Sequence, residues 1–349
     1  MTISFSIAGR AIGPKHAPYV IAELSGNHMG RLDLAIALLE ECARRGADAV
    51  KLQTYTPDTI TIAHDGPGFV VEGGLWSGRR LYDLYQEAHT PFEWHAPLFK
   101  RAAEIGVTAF SSPFDPTAVD LLESLGAPAY KVASFELIDL PLVARIARTG
   151  KPMIMSTGMA SPDDIAEAVD TARTNGARDI VLLHCVSSYP ARYEQANLMT
   201  MRDIAARYGC LVGLSDHTPG TAVSVAAIAL GACVIEKHVT MRRADGGVDS
   251  AFSLEPDELQ RLKTDCDAAH LALGVATYER SGEEKANMQF RRSLYVTAPV
   301  AAGETITEAH VRSIRPGFGL APKHLPDVIG RRAVRSLAFG EPLDWSMLD

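Results

Sequence analysis

The chain has 349 residues, room for one large or two ordinary domains, and its 47% hydrophobic content can fill a substantial core. A formal charge of −8 and the lack of any long basic run argue against nonspecific nucleic-acid binding, although a few local lysines can still make a cleft attractive to an anion. Met1–Pro18 holds no uninterrupted apolar segment of signal-peptide type, and no run approaches the length of a membrane span. The five cysteines (Cys42, Cys185, Cys210, Cys233 and Cys266) form no C-x-x-C pair, so the expectation is a cytoplasmic protein without disulfides, its cysteines serving as small buried hydrophobes.

Residues 1–17 read as a short hairpin: Ile3-Ser-Phe-Ser-Ile7 alternates, and Gly9 and Gly13 supply turns. A repeat then begins. Apolar strands are expected at Tyr19–Leu24, Ala49–Thr54, Val107–Ser111, Ala129–Ser134, Pro152–Thr157, Asp179–Cys185, Leu211–Leu214 and Cys233–Ile235. Helices follow them at Arg31–Arg45, within Ala88–Ile105, and at Pro116–Leu125, Leu140–Thr149, Pro162–Asn175, Met199–Tyr208, Ala222–Leu230 and Pro256–Leu273. Ser161 is the expected N-cap of the Pro162 helix and Gly176 its stop. Short continuous apolar strands alternating with amphipathic helices mean a parallel sheet buried on both faces, and eight such units fit a closed (β/α)₈ TIM barrel. A doubly wound open sheet would normally carry a glycine fingerprint after its first strand, and this chain has none.

One loop departs from the pattern. Tyr55–Glu87 is far longer than an ordinary βα connection and reads as a substrate lid, a pocket wall or a small helix packed on the barrel mouth. After Gly274 the texture changes again. Residues 276–290 are polar and read as a linker, separating a hairpin-plus-barrel domain (1–275) from a small β-rich domain (291–349) with β-like pieces at Ser293–Val296, Val311–Ile314 and Ala333–Ser336.

Barrel enzymes work at the C-terminal ends of their strands, where this chain places polar residues throughout. In strand order these are Glu23; Lys51, Gln53 and Tyr55; Ser111 and Ser112; Lys131, Ser134 and Glu136; Ser156; Ser187, Ser188 and Tyr189; Ser215, Asp216 and His217; Glu236 and His238; and then Asp249 in the last βα loop. Two imidazoles on one rim form a candidate site for Mn²⁺, Zn²⁺ or Fe²⁺, or are simply bonded to backbone carbonyls. Lys51 and Lys131, with the hydroxyls of Ser112, Ser134, Ser156 and Ser215, make a donor-rich floor suited to a phosphate and a carboxylate. The alternative for each lysine is an ion pair with Glu23, Glu136 or Glu236. Glu23 and Asp249 are candidates for acid–base work.

Glu23-x3-Asn27-His28-x-Gly30, Lys51-x-Gln53, Ser112-Pro-Phe114, Lys131-x2-Ser134-x-Glu136, Ser156-Thr-Gly-Met159, Tyr189-Pro190, Gly213-Leu-Ser-Asp-His-Thr218 and Glu236-Lys-His238 together resemble the sialic acid synthase family. Ser293-Leu-Tyr295, Gly303-Glu304 and Arg315-Pro-Gly317 resemble its C-terminal antifreeze-like (SAF, β-clip) domain. The resemblance implies a transferase that joins phosphoenolpyruvate to an acetamido sugar, adds water and releases phosphate by C–O cleavage. It also implies a divalent metal, typically Mn²⁺ with Mg²⁺ or Co²⁺ as alternatives, on His217 and His238. Glu23, His217 and Asp249 would be catalytic. Lys51, Ser112, Lys131, Ser134, Ser156, Ser187, Tyr189 and Ser215 would bind phosphoenolpyruvate. Gln53, Tyr55, Trp76, Glu136, Arg315 and Phe318 would contact the sugar, Arg315 by reaching across a domain-swapped homodimer. Gln53-Thr-Tyr-Thr-Pro57, Gly73-Gly-Leu-Trp76, Leu81-Tyr82 and Arg315-Pro-Gly-Phe-Gly-Leu320 resemble the family's pseudaminic acid branch, whose diacetamido-trideoxy acceptor asks for an apolar wall from Leu75, Trp76 and Phe318. N-acetylmannosamine and a diacetamido-trideoxy-mannose are the alternative acceptors, and a Schiff-base aldolase using Lys131 is a more distant rival.

Overall fold

The computed structural model describes residues 4–349, which form two compact units divided after Gly274. In the first, β1 (Phe5–Ile7) and β2 (Arg10–Ile12) pair as an antiparallel hairpin. Ile3 of the expected hairpin lies outside the described residues. Eight parallel strands follow: β3 (Tyr19–Glu23), β4 (Ala49–Thr54), β5 (Thr108–Pro113), β6 (Tyr130–Val132), β7 (Met153–Ser156), β8 (Ile180–Cys185), β9 (Leu211–Ser215) and β10 (Val234–His238). They close into a barrel when β10 pairs with β3 in a register that sets His238 opposite Glu23. The fold is therefore the TIM barrel expected from the alternating pattern.

The helices are α1 (Leu32–Arg44), α2 (Pro57–Ile60), α3 (Leu81–Ala88), α4 (Phe92–Ile105), α5 (Pro116–Ser124), α6 (Leu140–Ala147), α7 (Pro162–Thr174), α8 (Met199–Tyr208), α9 (Ala222–Ala229) and α10 (Pro256–Leu273). Local chemistry sets their ends. Asp115 accepts from the backbone of Thr117 and Ala118 to cap α5, and Ser161 caps α7 through a reciprocal pair with Asp164. The long β4–α4 connection is not structureless. It contains α2, α3 and a bridge between Val70 and Arg80 that presents Trp76 at a turn.

Side chains alternate along each strand, so one set faces the helices and the other the barrel axis. The outward set (Val20, Val50, Leu52, Val132, Met155, Leu182, Ile235) packs with the helices. The inward set forms a separate core of Tyr19, Ile21, Ala49, Phe110, Ala129, Ile154, Leu183 and Val234, joined by Ile7 and Ile12 of the hairpin. That hairpin plugs the N-terminal end with apolar side chains. β9 carries Gly213 here because a Cβ would lie 2.3 Å from Val234 O and 2.6 Å from Leu183 Cδ2.

Strand β6 is shorter than the expected Ala129–Ser134, since Ser134–Glu136 turns into a 3₁₀ helix. The second unit pairs β11 (Ser293–Val296) with β12 (Val311–Ile314) around Leu294, Val296, Val300, Ile306, Val311 and Leu343. Ala333 makes only an isolated bridge with Leu348 rather than the expected strand. Residues 276–290, read as a linker, carry α11 (Gly282–Asn287), capped by Ser281 with Glu284, and a 3₁₀ turn Met288–Phe290. The unit's last helix is α12 (Leu325–Val328).

Candidate active site

One step of strand periodicity above the apolar inner core, every strand changes character. The inward residues become Glu23, Lys51, Ser112, Lys131, Ser156, Cys185, Ser215 and Glu236, all buried. Seven are polar or charged, and burying such groups demands partners. Lys51 Nζ lies 2.9 Å from Glu23 Oε2 and 3.0 Å from Glu236 Oε1, with Ser112 Oγ at 3.4 Å. The ion-pair alternative therefore holds for Lys51. Lys131 differs: its Nζ donates to Val132 O at 3.1 Å and stays 3.9 Å from Glu236. An ammonium has three donors, so Lys131 keeps capacity for a ligand.

Burial, opposed by Glu236, lowers Lys131 to about 8. Burial works against Glu236 too, but Lys131 and Lys51 outweigh it and hold that carboxylate charged. Burial pushes Glu23 up, with the charge of Glu236 adding to the effect. Glu136 is pushed to about 7, first by burial, and its Oε2 has no partner.

Hydroxyls gather beside Lys131. Gly158 N–H donates to Ser134 Oγ at 3.2 Å, and a Cβ on Gly158 would lie 2.3 Å from Ser187 Oγ and 2.7 Å from Ser134 Oγ. Glycine is thus required for two hydroxyls and one backbone amide to converge. Ser156 Oγ is buried without any hydrogen-bond partner. Ser215 Oγ donates to Glu236 at 3.3 Å.

The two predicted histidines do meet, with ring centroids 5.4 Å apart. His217 donates from Nδ1 to Val186 O at 2.9 Å, which leaves Nε2 with its lone pair. His238 Nδ1 is buried with no hydrogen-bond partner and sits 3.7 Å from Asp249 Oδ2. Burial, with the charges of Lys51 and Lys131 nearby, keeps His238 neutral, well below the usual imidazole range. Asp249, raised to about 6 chiefly by burial, is held by Ser25 Oγ and by its own N–H on Asn27 Oδ1. Gln53 donates to Glu23 Oε1 at 3.0 Å.

Three aromatic rings wall this pair. Tyr189 stands 4.4 Å from His217, Phe252 stands 5.0 Å from His238, and Trp76 reaches Tyr189 at 5.6 Å. Trp76 also donates from its indole to Val248 O at 3.0 Å, tying the long loop to the segment bearing Asp249. Tyr55 is buried against Tyr85 and Phe114. Leu75, offered as wall, is 46% exposed. Arg315 and Phe318 belong to the second unit, where both are exposed in the segment after β12. That segment is shaped by Ser293 Oγ, which donates to Pro316 O and accepts from Gly319 N–H.

Sequence reasoning missed Phe252 and Cys185 as site residues. A census of polar strand ends passes over both: one is apolar, and the other was read as inert filler. Cys185 Sγ in fact lies 3.9 Å from His217 Nδ1 and 3.8 Å from Ser187 Oγ. The alternation from Leu183 to Cys185 was the available signal.

Comparison with known proteins identifies the family. Residues 38–278 match the NeuB family and residues 291–349 match the SAF domain. The chain is 40% identical over 325 residues to the pseudaminic acid synthase of Campylobacter jejuni, covering 93% of this chain and 95% of that one. It is 41% identical to the pseudaminic acid synthase of Helicobacter pylori over 93% of this chain and 96% of the relative. A crystal structure of an N-acetylneuraminic acid synthetase from Leptospira borgpetersenii superposes with a TM-score of 0.74 at 30% identity, over 82% of this chain and 96% of that one. The chain is a member of the NeuB family, a synthase of the sialic acid synthase type that ends in a SAF domain.

Proposed function

We propose that the protein condenses phosphoenolpyruvate with 2,4-diacetamido-2,4,6-trideoxy-β-L-altropyranose and water, giving pseudaminic acid and phosphate. The observation that carries this reading is a pair of orphaned buried atoms at one barrel mouth: Ser156 Oγ among the hydroxyls and His238 Nδ1 in the imidazole pair. Leaving such a group unsatisfied costs about 1–3 kcal/mol, a cost a ligand removes. One orphan suits an anion and the other a cation. The pseudaminic acid synthases among the relatives support the choice of acceptor, and the rings of Trp76 and Phe252 suit its methyl groups.

In this scheme Lys131, Ser134, Ser156, Ser187 and the Gly158 N–H hold the phosphate and carboxylate of phosphoenolpyruvate, with Ser112, Ser215 and Tyr189 completing the cradle. Lys51 carries the pair Glu23 and Glu236 and places Glu23 toward the sugar. Gln53, Tyr55, Trp76 and Glu136 line the acceptor side. Among the described residues no group of three or more histidine, cysteine or acidic side chains converges as a closed metal site. A neutral His238 with a free Nδ1, facing a His217 whose other nitrogen is committed to Val186, fits an open site held by two imidazoles. A divalent cation there, Mn²⁺ in our reading, would supply Lewis-acid polarisation of the sugar aldehyde. Asp249 and Glu23 then orient hydroxyls and move protons. We extend the reading to a cytoplasmic homodimer in which Arg315 and Phe318 of one subunit serve the mouth of the other. Among the described residues no helix is long and apolar enough to cross a membrane.

Phosphoenolpyruvate labelled with ¹⁸O at the bridging oxygen tests the chemistry. Label in the released phosphate is expected; label retained in the sugar acid, or borohydride trapping of pyruvate on Lys131, would replace this scheme with an aldolase.

A further inference from the structure

Three lysines sit at barrel strand ends, and two face the mouth. Lys237 alternates with Glu236 and His238 and therefore faces the helices, with a side chain only 1% exposed. Its ammonium uses all three donors: 3.0 Å to Asp216 Oδ2, 2.6 Å to Thr218 O and 2.9 Å to Gly220 O. Asp216 is itself saturated. Its Oδ1 accepts from Thr218 N and Oγ1 at 2.8 and 2.7 Å, and its Oδ2 accepts from Ser224 Oγ at 2.6 Å. These bonds bracket His217 on both sides. Lys237 is also the direct chain neighbour of His238.

We propose that Lys237 is the positioning residue of the imidazole pair: it bonds the turn carrying His217 to the strand carrying His238 and so fixes their separation. A charge buried on the outer face of a barrel is costly and adds nothing to apolar packing. Methionine would fill the same space without the desolvation penalty. The ion pair makes sense where it is: its six hydrogen bonds leave the 216–220 turn one conformation, and the turn's only imidazole must meet a partner from another strand. Groups that orient a metal ligand by a direct bond change affinity by about 10–100-fold when removed, and Lys237 acts on the same ring orientation through the turn.

The inference rests on the metal reading above, and the experiment separates the two. Mn²⁺ affinity would be measured by electron paramagnetic resonance titration of the full chain, with thermal unfolding alongside, for wild type, Lys237→Met, Ser224→Ala and Lys263→Met. Lys263 pairs with Asp48 at 3.1 Å and bonds Pro18 O at the opposite end of the barrel, so its loss reports a merely structural ion pair. Lys237→Met is expected to weaken Mn²⁺ binding by at least about tenfold. Ser224→Ala should weaken it by a few-fold through the same Asp216 oxygen, and Lys263→Met should lower the melting temperature while leaving Mn²⁺ affinity intact. Wild type that binds no Mn²⁺ would remove the metal reading and this inference with it. Wild type that binds Mn²⁺, with Lys237→Met binding equally tightly, would overturn the inference alone. Should Lys237→Met not fold, unchanged affinity in Ser224→Ala would overturn it as well.

Discussion

The inner face of the barrel holds two layers made by the same strands two residues apart, and they obey opposite rules. The lower layer, with Ile21, Phe110, Ile154, Leu183 and Val234, is apolar and sealed by Ile7 and Ile12. Tyr19 adds a buried hydroxyl at its lower edge. The upper layer, with Glu23, Lys51, Lys131, Ser156 and Glu236, is equally buried yet charged, and parts of it remain unsatisfied. Burial alone therefore does not mark a core. The lower layer stabilises the barrel, whereas the upper layer costs stability that a ligand can restore.

That contrast can be broken at either layer. The largest effect should come from the rim. His217→Ala or His238→Ala is expected to lower kcat/KM by about 10³-fold or more, upwards of about 4 kcal/mol, with the circular dichroism of wild type. Near-wild-type turnover in either variant would mean that the imidazole pair is not the reacting centre.

Ile154→Ala, one layer down, should reverse the pattern. Unfolding by urea is expected to show a loss of about 2–4 kcal/mol from the cavity, with KM for phosphoenolpyruvate within about twofold of wild type. A large KM change with unaltered stability would erase the distinction between layers.

Glu136→Gln sharpens the view that the mouth gives up stability. In the folded chain this carboxyl titrates at about 7, against an ordinary value of 4.5. The folded state thus holds its proton more tightly than the unfolded state, and wild type loses stability as pH rises between those values. The glutamine variant should be more stable than wild type by about 3 kcal/mol at pH 8 and about equal to it near pH 4.5. Equal stability at both would contradict the assigned burial.

The smallest effect is one of selectivity. Trp76→Ala or Phe252→Ala should lower kcat/KM for the diacetamido-trideoxy sugar about fivefold more than for N-acetylmannosamine, about 1 kcal/mol of differential contact. Parallel losses on both sugars would detach the aromatic wall from acceptor choice.

The barrel was legible in the sequence because its strands are short, continuous and apolar and a helix carries a visible cap in Ser161. The rule that barrel enzymes work at the C-terminal strand ends then led to Glu23 and Glu236 without coordinates. What that rule cannot give is distance across the axis. That Lys51 is occupied by two carboxylates while Lys131 retains free donors depends on side chains from β3, β4, β6 and β10 meeting in space. Phe252 escaped notice for a different reason: an apolar residue in a loop looks like packing until its ring lies 5.0 Å from an imidazole. Within the stretch 276–290, polar composition hid a short helix, although the Ser281–Glu284 capping box was present in the sequence.

The most direct test of the account is to incubate the purified protein with phosphoenolpyruvate, Mn²⁺ and a panel of acetamido sugars and follow the products by mass spectrometry. A nine-carbon diacetamido keto acid, formed one-for-one with phosphate and fastest from the altro-configured trideoxy sugar, is the predicted result. Phosphate release that depends on no sugar in the panel, or products from N-acetylmannosamine alone, would contradict it.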